Sequence, residues 1–215
     1  MIAPCVRKYS LTAERQFPKL KVRVRLPLFA PYLKIKDGMI MANNCLFDIK
    51  ITGEFFDVKE LCEMISEHQL GRVFSFDLTT DIERTSVENI YSVLGCGDCA
   101  WSVLCAMRKD YCFPSLESES ERLNLVIELF SSEPGIGFQE HVLIKRGLVE
   151  IDEVEDYAEY WLDDYKNVND INRECGTRFT DEDVNENGVI SEGGIDNYGV
   201  FEDLEIYFEN CEVGI

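Results

Sequence analysis

Basic residues are what the last third of this chain lacks. From Val149 to Tyr165 the sequence reads VEIDEVEDYAEYWLDDY, and no Lys or Arg occurs before Lys166. Residues 150–215 hold 3 basic and 21 acidic residues, while residues 1–60 hold 11 and 6, and residues 61–149 hold 7 and 14. Nearly the whole formal charge of −20 is therefore carried by the C-terminal third. Such an excess disfavours nucleic acid and anionic membranes as direct partners. No apolar run is long enough to span a bilayer. The opening MIAPCVRKYS lacks the apolar core of a signal peptide, so a cytoplasmic protein is expected. There is no P-loop, no dinucleotide fingerprint, no internal repeat and no complete catalytic motif.

What is present argues for a folded domain. Hydrophobic residues make up 46% of 215, and aromatics 11%, enough for a core and unlike a disordered acidic tail. The nine cysteines are an odd number, and several sit inside apolar periodic segments. They read as reduced core residues.

The N-terminal third reads as an antiparallel meander. KLKVRVRL at 19–26 alternates four cations with four apolar residues, the period of a half-buried strand. Asp37-Gly38 marks a hairpin, and CLFDIKITGEFF at 45–56 alternates again. Asp57 with Glu60 predicts a helix burying Val58, Leu61, Cys62 and Ile65, closed by Gly71. Val73–Leu78 follows as a strand. Thr85 with Glu88, then Val87, Ile90, Tyr91 and Leu94, predicts an amphipathic helix broken by Gly95 and Gly97. Asp98 opens a second, nearly all-apolar helix that Pro114 closes. Strands are expected over 123–130 and 140–145. The stretch 149–165 has Ile151, Val154, Ala158, Trp161 and Tyr165 at helical spacing, which predicts a helix with one uninterrupted anionic face. A long loop over 167–197 and a final strand over 203–209 complete the chain. The four cations of 19–26 would meet Glu205 and Glu209 of that strand. These elements predict an α+β fold with a mainly antiparallel sheet and about four helices. Residues 1–149 would form the core, with an acidic region at 150–215 packed on it.

Several constellations bear on chemistry. Asp152, Glu153, Glu155, Asp156, Glu159, Asp163 and Asp164 would form rows of carboxylates about 5–6 Å apart on a helix. A nucleic-acid strand carries one charge per roughly 3.4 Å of axis. Such rows could occupy a basic groove built for DNA or RNA, with Tyr157, Tyr160 and Trp161 adding contact area. GCGDCAWSVLC places Cys99 at the start of an apolar helix, similar to the nucleophile of papain-like cysteine hydrolases. His141 would be its base and Gln139 an amide donor. Cys96 and Cys99 form a CxxC, with Cys105 and Cys112 downstream as further zinc ligands. Asp183, Asn185 and Asn187 match the first ligand positions of an EF-hand loop, but Gly194 stands where its bidentate Glu belongs.

In size, and in the charge of residues 150–215, the chain resembles the small acidic DNA-mimic inhibitors that phages and plasmids use against restriction and CRISPR systems. That resemblance implies a non-enzymatic protein without cofactor. Its partner would be a basic nucleic-acid-binding protein such as a host-defence nuclease. A cysteine hydrolase using Cys99 and His141 is the enzymatic alternative. An immunity or adaptor protein that neutralises one basic partner is the third reading.

Overall fold

The computed structural model describes residues 44–109 and 113–209. All described residues belong to one compact unit. The cationic strand expected at 19–26, the Asp37-Gly38 hairpin and Cys112 lie outside the described residues.

The expected α+β class is what the chain adopts. Its strands are β1 (Asn44–Glu54), β2 (Val73–Leu78), β3 (Glu83–Arg84), β4 (Ile90–Ala100), β5 (Val126–Glu133), β6 (Phe138–Lys145), β7 (Leu148–Trp161) and β8 (Val189–Gly193). They form one sheet in the order β2-β4-β1-β5-β6-β7-β8, with β3 beside β4 and every pair antiparallel. The helices are α1 (Phe55–Ser66), α2 (Val103–Met107), α3 (Leu116–Arg122), α4 (Val168–Cys175) and α5 (Ile206–Glu209).

Directly opposed residues share a face of a sheet, so register sorts the side chains. Phe76, Gly97, Phe47, Ser131 and Glu140 form one cross-strand row, facing the main core. Leu61 and Ile65 of α1, Met107 of α2 and Leu116 of α3 pack there against Ile49, Ile51, Leu129 and Val142. Cys96, Asp48, Phe130, His141 and Glu153 form a row on the opposite face. The C-terminal strap, residues 195–209, crosses that face and buries Leu204 and Phe208 against Val126 and Leu143.

Five expected segments take another form. The acidic stretch is the 14-residue strand β7, not a helix. Helical spacing would set Asp152, Glu155, Asp156 and Glu159 against one another at i+3 and i+4, where like charges repel. A strand sends consecutive residues to opposite faces instead. The turn decides the matter locally. Arg146 (φ 49°) and Gly147 (φ 85°) both lie in the left-handed region and join the pair Lys145–Leu148, the geometry of a two-residue hairpin.

The helix expected from Thr85 is strand β4. The Thr85 hydroxyl bonds the Ile90 carbonyl at 2.9 Å and closes a turn. Gly97 does not break the element. It lets the Phe47 ring and the Ser75 carbonyl come close, as glycine inside a strand often does. The long apolar helix from Asp98 shrinks to α2, capped by Ser102, whose hydroxyl accepts from the Cys105 N–H. The final strand is instead a turn and the short helix α5. The supposed loop 167–197 holds α4, capped by Asn167 and ended by left-handed Gly176, and then β8.

Candidate interaction surface

β7 has two halves. Leu148 to Asp156 pair with β6, and Tyr157 to Trp161 pair with β8 along the opposite edge of the strand. The two partners do not overlap. The Tyr157 N–H donates inward to Gly137, while the Asp156 carbonyl accepts outward from Gly194. The second half, α4, β8 and the intervening turns make a small arm. Its own core is Val168, Ile171 and Ile190, lined by Tyr160, Leu162 and Phe179.

The seven carboxylates expected on one helical face are thereby divided. Asp152 faces the helical layer and accepts from Arg108 Nη1 at 2.7 Å. Arg108 is buried and also bonds Glu117 at 2.8 Å. Burial opposes its charge, but Glu117 and Asp152 outweigh that, holding its pKa above the ordinary value. Glu153 lies on the other face, 3.6 Å from His141. Glu159 accepts the Tyr157 hydroxyl. Burial, then Glu159, raise the Tyr157 pKa. Glu155, Asp156, Asp163 and Asp164 are exposed, and among the described residues they form no ion pair. Of the expected aromatic contacts, Trp161 is 47% exposed, whereas Tyr160 packs on Phe179 with ring centroids 5.2 Å apart.

The structure separates Cys99 from His141. Cys99 lies opposite Cys45 on the core face of β4, fully buried. His141 shares its face with Cys96, three strand spacings away, roughly 14 Å. A hydrogen bond with Cys45, then burial, push the Cys99 thiol pKa far up, the reverse of an activated nucleophile. Cys99 and His141 form no thiol–imidazole dyad. Gln139 is used elsewhere: its side-chain oxygen accepts from the Ile195 N–H at 3.0 Å and anchors the strap. The CxxC fails as a chelate for the same reason of alternation, since Cys96 and Cys99 face opposite ways.

No family model, no curated protein and no solved structure matches the chain. The site must therefore be argued from its own geometry.

The EF-hand-like residues are spent on turns. Asp183 accepts from the backbone and then the hydroxyl of Thr180, which lower its pKa. The Asn185 side-chain oxygen accepts from the Asn187 and Val189 N–H groups. The loop then enters a strand rather than a second helix, so Asp183, Asn185 and Asn187 do not assemble as ligands. Among the described residues no cluster of three His, Cys, Asp or Glu side chains is placed to hold a metal ion. Among the same residues, no helix is long and apolar enough to cross a membrane.

Two buried carboxylates escaped sequence reasoning. Glu140 accepts from Ser131 Oγ at 2.6 Å and from the Val103 N–H at 2.8 Å. Burial raises its pKa, against those bonds. Glu128 meets His141 Nε2 at 2.8 Å and accepts the Glu202 N–H at 2.7 Å. Lys50 donates to the Glu202 carbonyl at 2.7 Å. These bonds tie the strap to the sheet centre. Their sequence signal was a glutamate inside an otherwise apolar strand, in VIELF and again in FQEHVLI.

Proposed function

We infer that this is a non-enzymatic, cytoplasmic acidic protein. It would bind the basic nucleic-acid-binding groove of a partner such as a host-defence nuclease. The observation that carries this reading is the run Glu155, Asp156, Glu159, Asp163 and Asp164. It lies on β7 and the 3₁₀ turn after it, with no cation paired to it among the described residues. On the strand Glu155 and Glu159 share one face four residues, roughly 13 Å, apart, and Asp156 stands on the other, so both faces of this half of β7 carry negative charge. Asp181, Glu182 and Glu186 add exposed negative charge on the arm. A one-sign surface of this kind steers a basic partner and releases its counterions.

The test is competition. A basic nucleic-acid-binding protein captured from the native host should dissociate as salt rises and be displaced by short duplex DNA or RNA. Charge reversal at Asp156, Glu159 and Asp163 should abolish capture. Capture indifferent to all three changes would refute the reading. Capture that is salt-sensitive but not displaced by nucleic acid would assign the protein to the immunity or adaptor type.

A further inference from the structure

We propose that the outer edge of β7 between Ile151 and Glu155 is a strand-addition site for an extended basic segment of a partner protein. The inference stands apart from the groove reading, because it rests on backbone geometry as well as charge.

β6 covers one edge of β7 as far as Asp156, and β8 covers the other only from Tyr157. The outer edge before Asp156 has no strand beside it among the described residues. Alternation fixes which groups are open. Since the Tyr157 N–H points to β6, the N–H and C=O groups of Asp152 and Val154 point outward. A row of unpaired backbone groups is a template for another strand, whose main chain supplies affinity and whose side chains supply specificity.

The side chains beside this edge select the occupant. Glu153 and Glu155 stand on one face, Asp152 and Asp156 on the other, with half-buried Ile151 and Val154 between them. A second copy of β7 would set like charges directly opposite, which destabilises a pair. A strand with Lys or Arg at every second position would set cations opposite Glu153 and Glu155. The same charges that bar self-pairing therefore favour a basic strand. The bulge at Glu150, where the register shifts between Leu143 and Ile144, bounds the site at its near end. Gly194 on the Asp156 carbonyl bounds it at the far end.

The experiment uses the full chain and a 12-residue peptide alternating Lys with Thr, titrated by fluorescence anisotropy. The control is the same peptide N-methylated at alternate residues, which keeps the charge and removes the edge donors. Binding of the plain peptide should be at least tenfold tighter than that of the methylated one, and should weaken with salt. Val154→Pro removes an outward N–H and exchanges one half-buried side chain, so it should reduce binding about tenfold with the circular dichroism spectrum retained. If that variant does not fold, Glu153→Lys/Glu155→Lys should give the same loss. Equal binding of both peptides would reduce the edge to a non-specific acidic cluster and overturn the proposal. Absence of binding would also overturn it, as would a dimer of the chain that Val154→Pro dissociates.

Discussion

Among the described residues β2 and the first half of β7 each present an edge of one antiparallel sheet, yet they meet water in different ways. β2, VFSFDL, is short, is bulged between Val73 and Ser75, and leaves Phe74 and Leu78 nearly half exposed. β7 is more than twice as long, and six carboxylates lie between Glu150 and Glu159. A bulge and brevity protect an edge by spoiling its hydrogen-bond row. Charge protects it only against a partner of the same sign. β2 is thus closed by shape and β7 by electrostatics, and only the second kind of closure is selective.

The largest expected effect comes from the bond that pins β7 to the helical layer. Arg108→Met leaves Glu117 buried without its cation and releases Asp152, and should cost about 3–5 kcal/mol in urea unfolding. Arg108→Met/Glu117→Met should recover most of that loss, since it removes both buried charges. Next is the other edge. Gly97→Ala would drive a methyl into the Ser75 carbonyl and the Phe47 ring, costing about 1–3 kcal/mol. Hydrogen exchange should quicken in β2 and stay unchanged in β7. Equal quickening at both edges would erase the distinction between them.

A smaller effect depends on pH. Burial raises the Glu140 pKa in the folded state, so the folded chain holds that proton more tightly than the unfolded chain does. The resulting stabilisation is complete below the ordinary glutamate value. It is lost as pH rises through the folded pKa. Glu140→Gln keeps an oxygen for Ser131 and Val103 and removes the titration. The stability of the native chain relative to this variant should therefore fall as pH rises above the ordinary glutamate value of about 4. A constant difference across that range would mean the carboxyl does not titrate there. Smallest of all, Glu155→Lys should change stability by less than about 0.5 kcal/mol while altering the salt dependence of binding.

Much of the sheet was legible from alternation. β1 and β2 stand close to the strands expected at 45–56 and 73–78, β5 lies three residues later than the expected 123–130, β6 begins two residues before the expected 140–145, and α1 buries Val58, Leu61, Cys62 and Ile65 as expected. The misreadings share a cause. Ile90, Tyr91 and Leu94 in β4, and Ile151, Val154 and Ala158 in β7, fit a helical period by coincidence. Both strands belong to pairings whose turns are written in unusual residues, Asn89 (φ 60°) and Arg146-Gly147. The charge of the candidate surface was legible too. Its division between two faces was not, because that follows from register, which no local pattern in 149–165 encodes.

The bond from Glu202 to Glu128 spans 74 positions of sequence. During synthesis β5 leaves the ribosome long before its carboxylate can find that donor. At typical elongation rates the delay is roughly 4–15 s. Throughout that interval Glu128 and Phe130 have His141 but lack the strap, whose Glu202 N–H and whose Tyr198 and Phe201 rings complete their surroundings. The strap is therefore a late closure. A chain ended at residue 194 would have every described strand of the sheet and none of the strap that covers it.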